Sequence, residues 1–310
     1  MIPSRFFLFI ALLFTGQLAS FAEAPVSQAV VSEKSPGSSS SQGTMPLWEL
    51  AMPTGETLYI VGSIHLLKPD AYPLATAIEE AFDASPEVIF ETDVEALQDP
   101  RMQMKLMERG LYSDGSTIED HVSKETYEIY TEFLNEYGLP EAMFNKFKPW
   151  MAGITASVLA MQKAGYSPEH GLEQYFSKRA KEAGKPMSGL EEPMFQIDLL
   201  ASFENEREEE FLVKTIQDLK AIPDYFEKMD QAWRTGNMKA LADLLNEGFE
   251  GFPELAEKLL YARNRDWAEK LDARIKAGEP GIVIVGAGHL AGKENLIDLL
   301  QAKGYTLEQQ

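Results

Sequence analysis

The sequence predicts an α/β fold: a single domain whose central mixed β-sheet is built from N- and C-terminal segments around a large helical insertion. Two observations carry this. Short apolar runs of strand type lie at 47–61 and 87–92 and again at 281–285, near the two ends of the folded part. Between about residue 100 and residue 275 the pattern is nearly all helical.

The elements follow in order. Leu47 to Met52 and Thr57 to Val61 flank Pro53-Thr54-Gly55-Glu56, which reads as strand, turn, strand. Pro73 opens a helix with Leu74, Ala77, Ile78, Ala81 and Phe82 on one stripe, and Ser85-Pro86 stops it. Glu87 to Thr92 is a short, mostly apolar strand. Pro149 opens a buried helix ended by Gly165, a second runs from Gly171 to Ala183 before Gly184, and Lys185 to Leu190 fits a strand. The run 204–220 opens with an acidic stretch that suits a helix N-terminus and a solvated face. Helices follow at 223–235, 237–247 and 254–277. Gly281 to Val285 is a strand of buried type, and Glu294 to Ala302 is the last helix. No domain-scale boundary follows residue 45, so 46–310 is one unit.

Composition narrows the function. The 310 residues carry 28 Lys and Arg against 49 Asp and Glu, a formal charge of −21. That excess argues against nucleic acid as a main partner, because phosphate binding needs clustered cations. There is no Cys, which removes disulfides, thiolate metal sites and a Cys nucleophile. Residues 1–22 have the form of a secretory signal peptide: Arg5, the apolar run Phe6 to Phe14, then small residues with cleavage expected after Ala22. Residues 23–45, rich in Ser, Pro and Gly, read as a flexible linker. The expected location is periplasmic or secreted, with no transmembrane helix in the mature chain.

One seven-residue pattern occurs twice. Ile60-Val61-Gly62-Ser63-Ile64-His65-Leu66 and Ile284-Val285-Gly286-Ala287-Gly288-His289-Leu290 agree at five positions. Each is an apolar strand, then Gly-x-x-His, then a turn toward a helix. The strand carries the chain to the rim of the sheet, Gly permits a tight turn, and His is presented where open α/β sheets bind ligands. If the two strands are parallel neighbours, His65 and His289 converge. Glu91 ends its own strand and should reach the same rim, with Asp93 two residues on. A carboxylate beside two imidazoles can complete a divalent-metal site or act as base on a metal-bound water. The competing role for Asp93 is a helix cap.

Other patterns weaken on inspection. Gly286, Gly288 and Gly292 resemble a dinucleotide loop, but the chain ends before the second strand and acid that fingerprint needs. Gly62, Gly286 and Gly288 instead offer backbone N–H groups to an anion. His170 and Glu173 stand three apart at a helix start without a further His, and His121 sits in a polar stretch; both read as surface histidines. No Gly-x-Ser-x-Gly elbow occurs. Arg263, in a basic spot before Trp267, can clamp a carboxylate or steady an oxyanion, or simply pair with acidic neighbours on the surface.

Taken together, the paired Gly-x-x-His, Phe90-Glu91-Thr92-Asp93, Gly171-Leu172-Glu173-Gln174, Gly189-Leu190-Glu191, Arg263-Asn264 with Trp267, and the Gly-rich turn at 286–292 resemble the TraB/GumN family, which includes the TIKI-type metalloproteases. The resemblance spans roughly 46–308. It implies an α/β core with a helical insertion and, for the TIKI branch, a peptidase dependent on cobalt or manganese that needs both Gly-x-x-His motifs and an acidic residue. Those map onto His65, His289 and Glu91. The family is similar in outline to ChaN-like haem-binding proteins.

The expected function is an exported metal-dependent hydrolase acting on peptide. His65 and His289 would hold manganese, cobalt or zinc, with Glu91, Asp93 or Glu191 as carboxylate ligands; Glu91 would be base or ligand, and Arg263 an auxiliary catalytic group. The alternative is a non-enzymatic protein that binds haem or another small ligand in the same cleft.

Overall fold

The computed structural model describes residues 44–202, 207–219 and 221–310. The proposed signal peptide and nearly all of the linker lie outside these residues. The strands are β1 (Leu47–Ala51), β2 (Thr57–Ser63), β3 (Val88–Thr92), β4 (Met187–Glu191), β5 (Gly281–Gly286) and β6 (Leu307–Gln309). They form one six-stranded mixed sheet in the order β4-β3-β5-β2-β1-β6.

The hairpin β1–β2 is antiparallel, with Trp48 opposite Ile60 and Leu50 opposite Leu58. β2 and β5 are parallel neighbours, with Gly62 opposite Val285 and Ser63 opposite Gly286. β3 runs parallel to β5 on its other side, and β4 runs parallel to β3 at the edge. Four strands therefore point their carboxyl ends at one rim. The sheet joins segments more than two hundred residues apart.

Side-chain alternation sorts the strand residues onto two faces. Val88, Phe90, Ile282 and Ile284 enter the larger core, while Ile89, Val283 and Val285 enter the smaller one with Trp48, Leu58 and Ile60. This makes three layers. The helices are α1 (Thr76–Ala84), α2 (Val94–Gln98), α3 (Pro100–Gly110), α4 (Lys124–Glu136), α5 (Pro149–Lys163), α6 (Leu172–Ala183), α7 (Pro193–Ala201), α8 (Glu208–Asp218), α9 (Ile222–Arg234), α10 (Met238–Gly248), α11 (Ala262–Ala277) and α12 (Leu296–Ala302). Helices α11 and α12 cover the smaller core, through Trp267, Leu271, Ile275, Leu296 and Leu300, with Met238 of α10 packed against it. The insertion, with α1, covers the larger one. No helix among the described residues is long and apolar enough to cross a membrane.

Several local details depart from expectation. Helix α1 begins at Thr76, not at Pro73, and α12 begins at Leu296 after Asn295 accepts a capping bond from the Asp298 amide. The helix expected over 254–277 carries a π-helical turn at Glu257–Tyr261 immediately before α11. Strand β6, absent from the sequence reading, pairs with β1 (Leu307 opposite Leu50). Gly62 lies inside β2 and makes no turn. A Cβ there would stand 3.2 Å from Ala287, so its missing side chain lets the second motif pack on the first.

Candidate active site at the sheet rim

The site grows from the ends of the parallel strands. β2 leads to His65, β5 to His289, β3 carries Glu91 and β4 ends on Glu191. From above, α11 contributes Arg263, Asn264 and Trp267, all buried.

Arg263 is the hub, only 2% exposed. Its Nη2 donates to Glu91 Oε2 at 2.6 Å and to Glu191 Oε1 at 2.7 Å. Nε donates to Glu191 Oε2 at 3.1 Å, and Nη1 donates to Leu259 O and to His289 Nε2, at 3.0 and 3.1 Å. Burial alone would depress this guanidinium, but Glu91 and Glu191 outweigh it and raise its pKa. Five N–H groups are all a guanidinium has, and each has a protein acceptor. The expected role as a clamp on substrate therefore gives way to one as a clamp on the site's own carboxylates. The π-helical turn just before α11 holds Leu259, whose carbonyl takes one of these bonds.

His289 is fully buried, with its ring 4.3 Å from that of Trp267. Its proton can be assigned from its neighbours. Asn264 Nδ2 donates to the Glu294 carbonyl at 2.8 Å, so Asn264 Oδ1 accepts, and it stands 2.6 Å from His289 Nδ1. Nδ1 thus carries the hydrogen and Nε2 accepts from Arg263. Burial first, then the charges of Arg263 and His65, hold the His289 pKa well below its ordinary value. His289 is a neutral imidazole.

His65 is held differently. Its Nδ1 lies 3.0 Å from Glu173 Oε2, and Ser63 Oγ donates to Glu173 Oε1. The approach is an ion-pair contact rather than an aligned hydrogen bond, and because a carboxylate only accepts, it favours the hydrogen on Nδ1, the nitrogen that faces it. Burial pulls the His65 pKa down, but the Glu173 charge and hydrogen bond outweigh it, and the net shift is upward. The Glu173 pKa is lowered: burial opposes this, and the His65 charge prevails. His65 Nε2 is buried with no partner. The two imidazoles are near enough for the charge of His65 to register at His289.

Glu91 completes the cluster, 4% exposed. Its Oε1 accepts the Gly286 N–H at 2.7 Å and lies 3.7 Å from His289 Nε2. The Gly286 amide is therefore taken by the protein and is not free for a bound anion. Gly288 sits in the short 3-10 turn Ala287–Leu290.

The remaining candidates sort clearly. Asp93 does not join the cluster: it is exposed and caps α2, accepting from the Glu95 and Ala96 amides. Glu191 stands at the rim, but both of its oxygens are held by Arg263, with Trp267 Nε1 and Gln196 Nε2 on the remaining sites. It is a counter-ion, not an open ligand. His121 stacks on Tyr112 at the surface, and His170 lies in the turn Pro168–His170. Among the described residues, no three His, Asp or Glu side chains stand together at the spacing of a metal cluster. Sequence reasoning passed over Ser63 and dismissed Glu173. The only signal for Glu173 was its place in Gly171-Leu172-Glu173.

A model of the TraB/PrgY/gumN family matches residues 46–309. Two proteins called uncharacterized protein YbaP, from Escherichia coli (strain K12) and Shigella flexneri, are each 25% identical over 260 residues, covering 83% of this chain and 93% of their own length. No solved structure matches the chain.

Proposed function

Because the chain belongs to the TraB/PrgY/gumN family, we propose that it is an exported metal-dependent hydrolase acting on peptide bonds at the rim cluster of His65, His289 and Glu91. The observation that carries this reading is the paired presentation of the histidines. Two separate turns deliver two imidazoles to one rim of the sheet, near enough for the His65 charge to register at His289, and each has Nδ1 set against a side-chain oxygen. Fixing Nδ1 in this way is how proteins prepare a histidine to bind a metal or move a proton.

The donor set suits a divalent ion in kind. It offers two imidazole Nε2 atoms, one buried and unpartnered, beside a carboxylate. With both imidazoles neutral, Glu91, Glu173, Glu191 and Arg263 sum to a formal −2, and a proton on His65 reduces this to −1. A buried charge of that size calls for compensation. His65 and His289 would hold manganese, cobalt or zinc, with Glu91 beside them as base, and the contact in the way is Arg263 Nη1 on His289 Nε2. When bound, such an ion supplies a polarised carbonyl and an acidified water.

The chain's own groups do the rest. Glu91, anchored by Arg263 and the Gly286 amide, takes the proton of the attacking water. Arg263 holds Glu91 and Glu191 in place by ion pairs. Asn264 and Trp267 keep His289 from turning. Export rests on the leader-like residues 1–22.

The test is a peptide-cleavage screen of the purified protein with added manganese, cobalt and zinc. Cleavage should be lost when His65→Ala is combined with His289→Ala. Cleavage that survives the double substitution overturns this site, and a haem Soret band without cleavage moves the assignment to the ligand-binding alternative.

A further inference from the structure

The helical insertion, whose breadth the hydrolase reading leaves unused, reaches the His65 turn through the segment before α6. The segment before α6 is fastened to the His65 turn by backbone bonds. Leu67 and Ser167 exchange N–H and C=O in both directions at 3.3 and 2.9 Å, and the Leu172 amide donates to Ile64 O at 3.2 Å. Tyr72 Oη donates to the His170 carbonyl at 2.8 Å. Gly171 lies so close that a Cβ on it would stand 2.2 Å from the His65 carbonyl oxygen. Only a residue without a side chain allows that approach.

The first turn of α6 then projects Glu173 into the larger core, at 8% exposure. A carboxylate is not buried there for packing, since its desolvation is costly unless it is partnered. Its partners are His65 Nδ1 and the Ser63 hydroxyl. Ser63 is the last residue of β2, so the carboxylate is held by the strand that delivers the histidine.

We propose that Glu173 is a positioning residue, held by Ser63, which locks His65 as the Nδ1–H tautomer with its Nε2 lone pair turned into the site. The idea rests on the hydrolase reading only for what the oriented nitrogen is used for; the orientation itself stands alone. Without Glu173 the neutral ring has no acceptor for Nδ1–H, and it can turn or move its proton to Nε2. Either change removes the lone pair from the pocket.

The experiment is nitrogen-15 NMR of the histidine rings in the full chain without metal, at a pH where His65 is neutral. Wild type should show Nδ1 protonated and Nε2 bare. Glu173→Ala should move the proton toward Nε2, and Glu173→Gln, which keeps an acceptor oxygen at the same reach, should restore the wild-type pattern. In the cleavage assay Glu173→Ala should lower kcat by ~10–100-fold with KM little changed, as removal of a histidine's orienting partner does elsewhere. A wild-type His65 protonated on Nε2 overturns the proposal even if no variant folds, and so does a Glu173→Ala spectrum identical to wild type. Because the spectrum needs neither substrate nor metal, its failure is separable from that of the hydrolase: the expected tautomers without cleavage support the positioning role and count only against the enzyme.

Discussion

The turn after β2 and the turn after β5 share their Gly-x-x-His framework, and both bring an imidazole to the same rim of the sheet. They fix the ring by different chemistry. His65 leans on a carboxylate, Glu173, brought by the insertion. His289 leans on an amide, Asn264, and lies under the Arg263 guanidinium. The same motif therefore yields one imidazole whose pKa is raised and one whose pKa is far lowered. The strand and glycine determine where the ring goes, and the helix packed on it determines what the ring does with a proton.

The harshest way to break this contrast is to remove the guanidinium. Arg263→Met leaves Glu91 and Glu191 buried without a counter-charge. Denaturant unfolding should show a loss of about 3–5 kcal/mol, the usual cost of half a buried ion pair. The His289 pKa should climb as its neighbouring cation disappears. An Arg263→Met protein as stable as wild type would mean that the carboxylates are not held as described.

Gly171→Ala strikes the other turn. Its Cβ would collide with the His65 carbonyl, so the α6 start must lift away. A cost of about 1–3 kcal/mol is expected, with Glu173 drawn off His65. Thermal unfolding of this variant beside Gly184→Ala compares collision with backbone strain, because at Gly184 a Cβ would meet nothing within 4 Å but φ is +66°, which a side chain rarely adopts.

pH separates the two histidines without disabling either. The ordinary His value is 6.5 and that of Glu is 4.5. The raised His65 stabilises fully below 6.5, and this is lost as pH rises through its folded pKa. The lowered Glu173 stabilises above 4.5, and this is lost as pH falls through its own folded pKa. Their pairing thus contributes most between 4.5 and 6.5. His289 acts oppositely to His65. Folded, it refuses a proton that the unfolded chain accepts, so its contribution declines as pH falls below 6.5. Unfolding measured across this range should show the stability gap between wild type and Glu173→Ala widest inside that window and shrinking on both sides. A gap independent of pH would count against the ion pair.

The smallest effect is a control on Asp93. If it is only the cap of α2, Asp93→Ala costs about 1 kcal/mol and leaves both histidine titrations unmoved. A shifted titration would return Asp93 to the site.

Much of the fold was legible because its signals are local. β2, β3 and β5 are continuous apolar runs that need no partner to be seen. β6 was missed because three residues are too few to show a period, and its strand form comes from pairing with β1. The π-helical turn before Arg263 was invisible, since helix and π-turn share one hydrophobic pattern. Of the site, His65, His289, Glu91 and Arg263 were visible from motif repetition and residue type. Glu173 was not, being one acid among 49 Asp and Glu and lying 110 positions from Ser63.

By itself, then, the sequence determined the strands, the glycines that end or thin them, and which side chains stand at strand ends. Those follow from steric and hydrophobic preferences within a few neighbouring residues. Only the tertiary structure decided that Glu173 meets His65, that Asn264 meets His289, and that the donors of Arg263 are all consumed inside the protein. Proton location and buried charge depend on distances of about three ångströms between distant segments, and no local pattern along the chain encodes them.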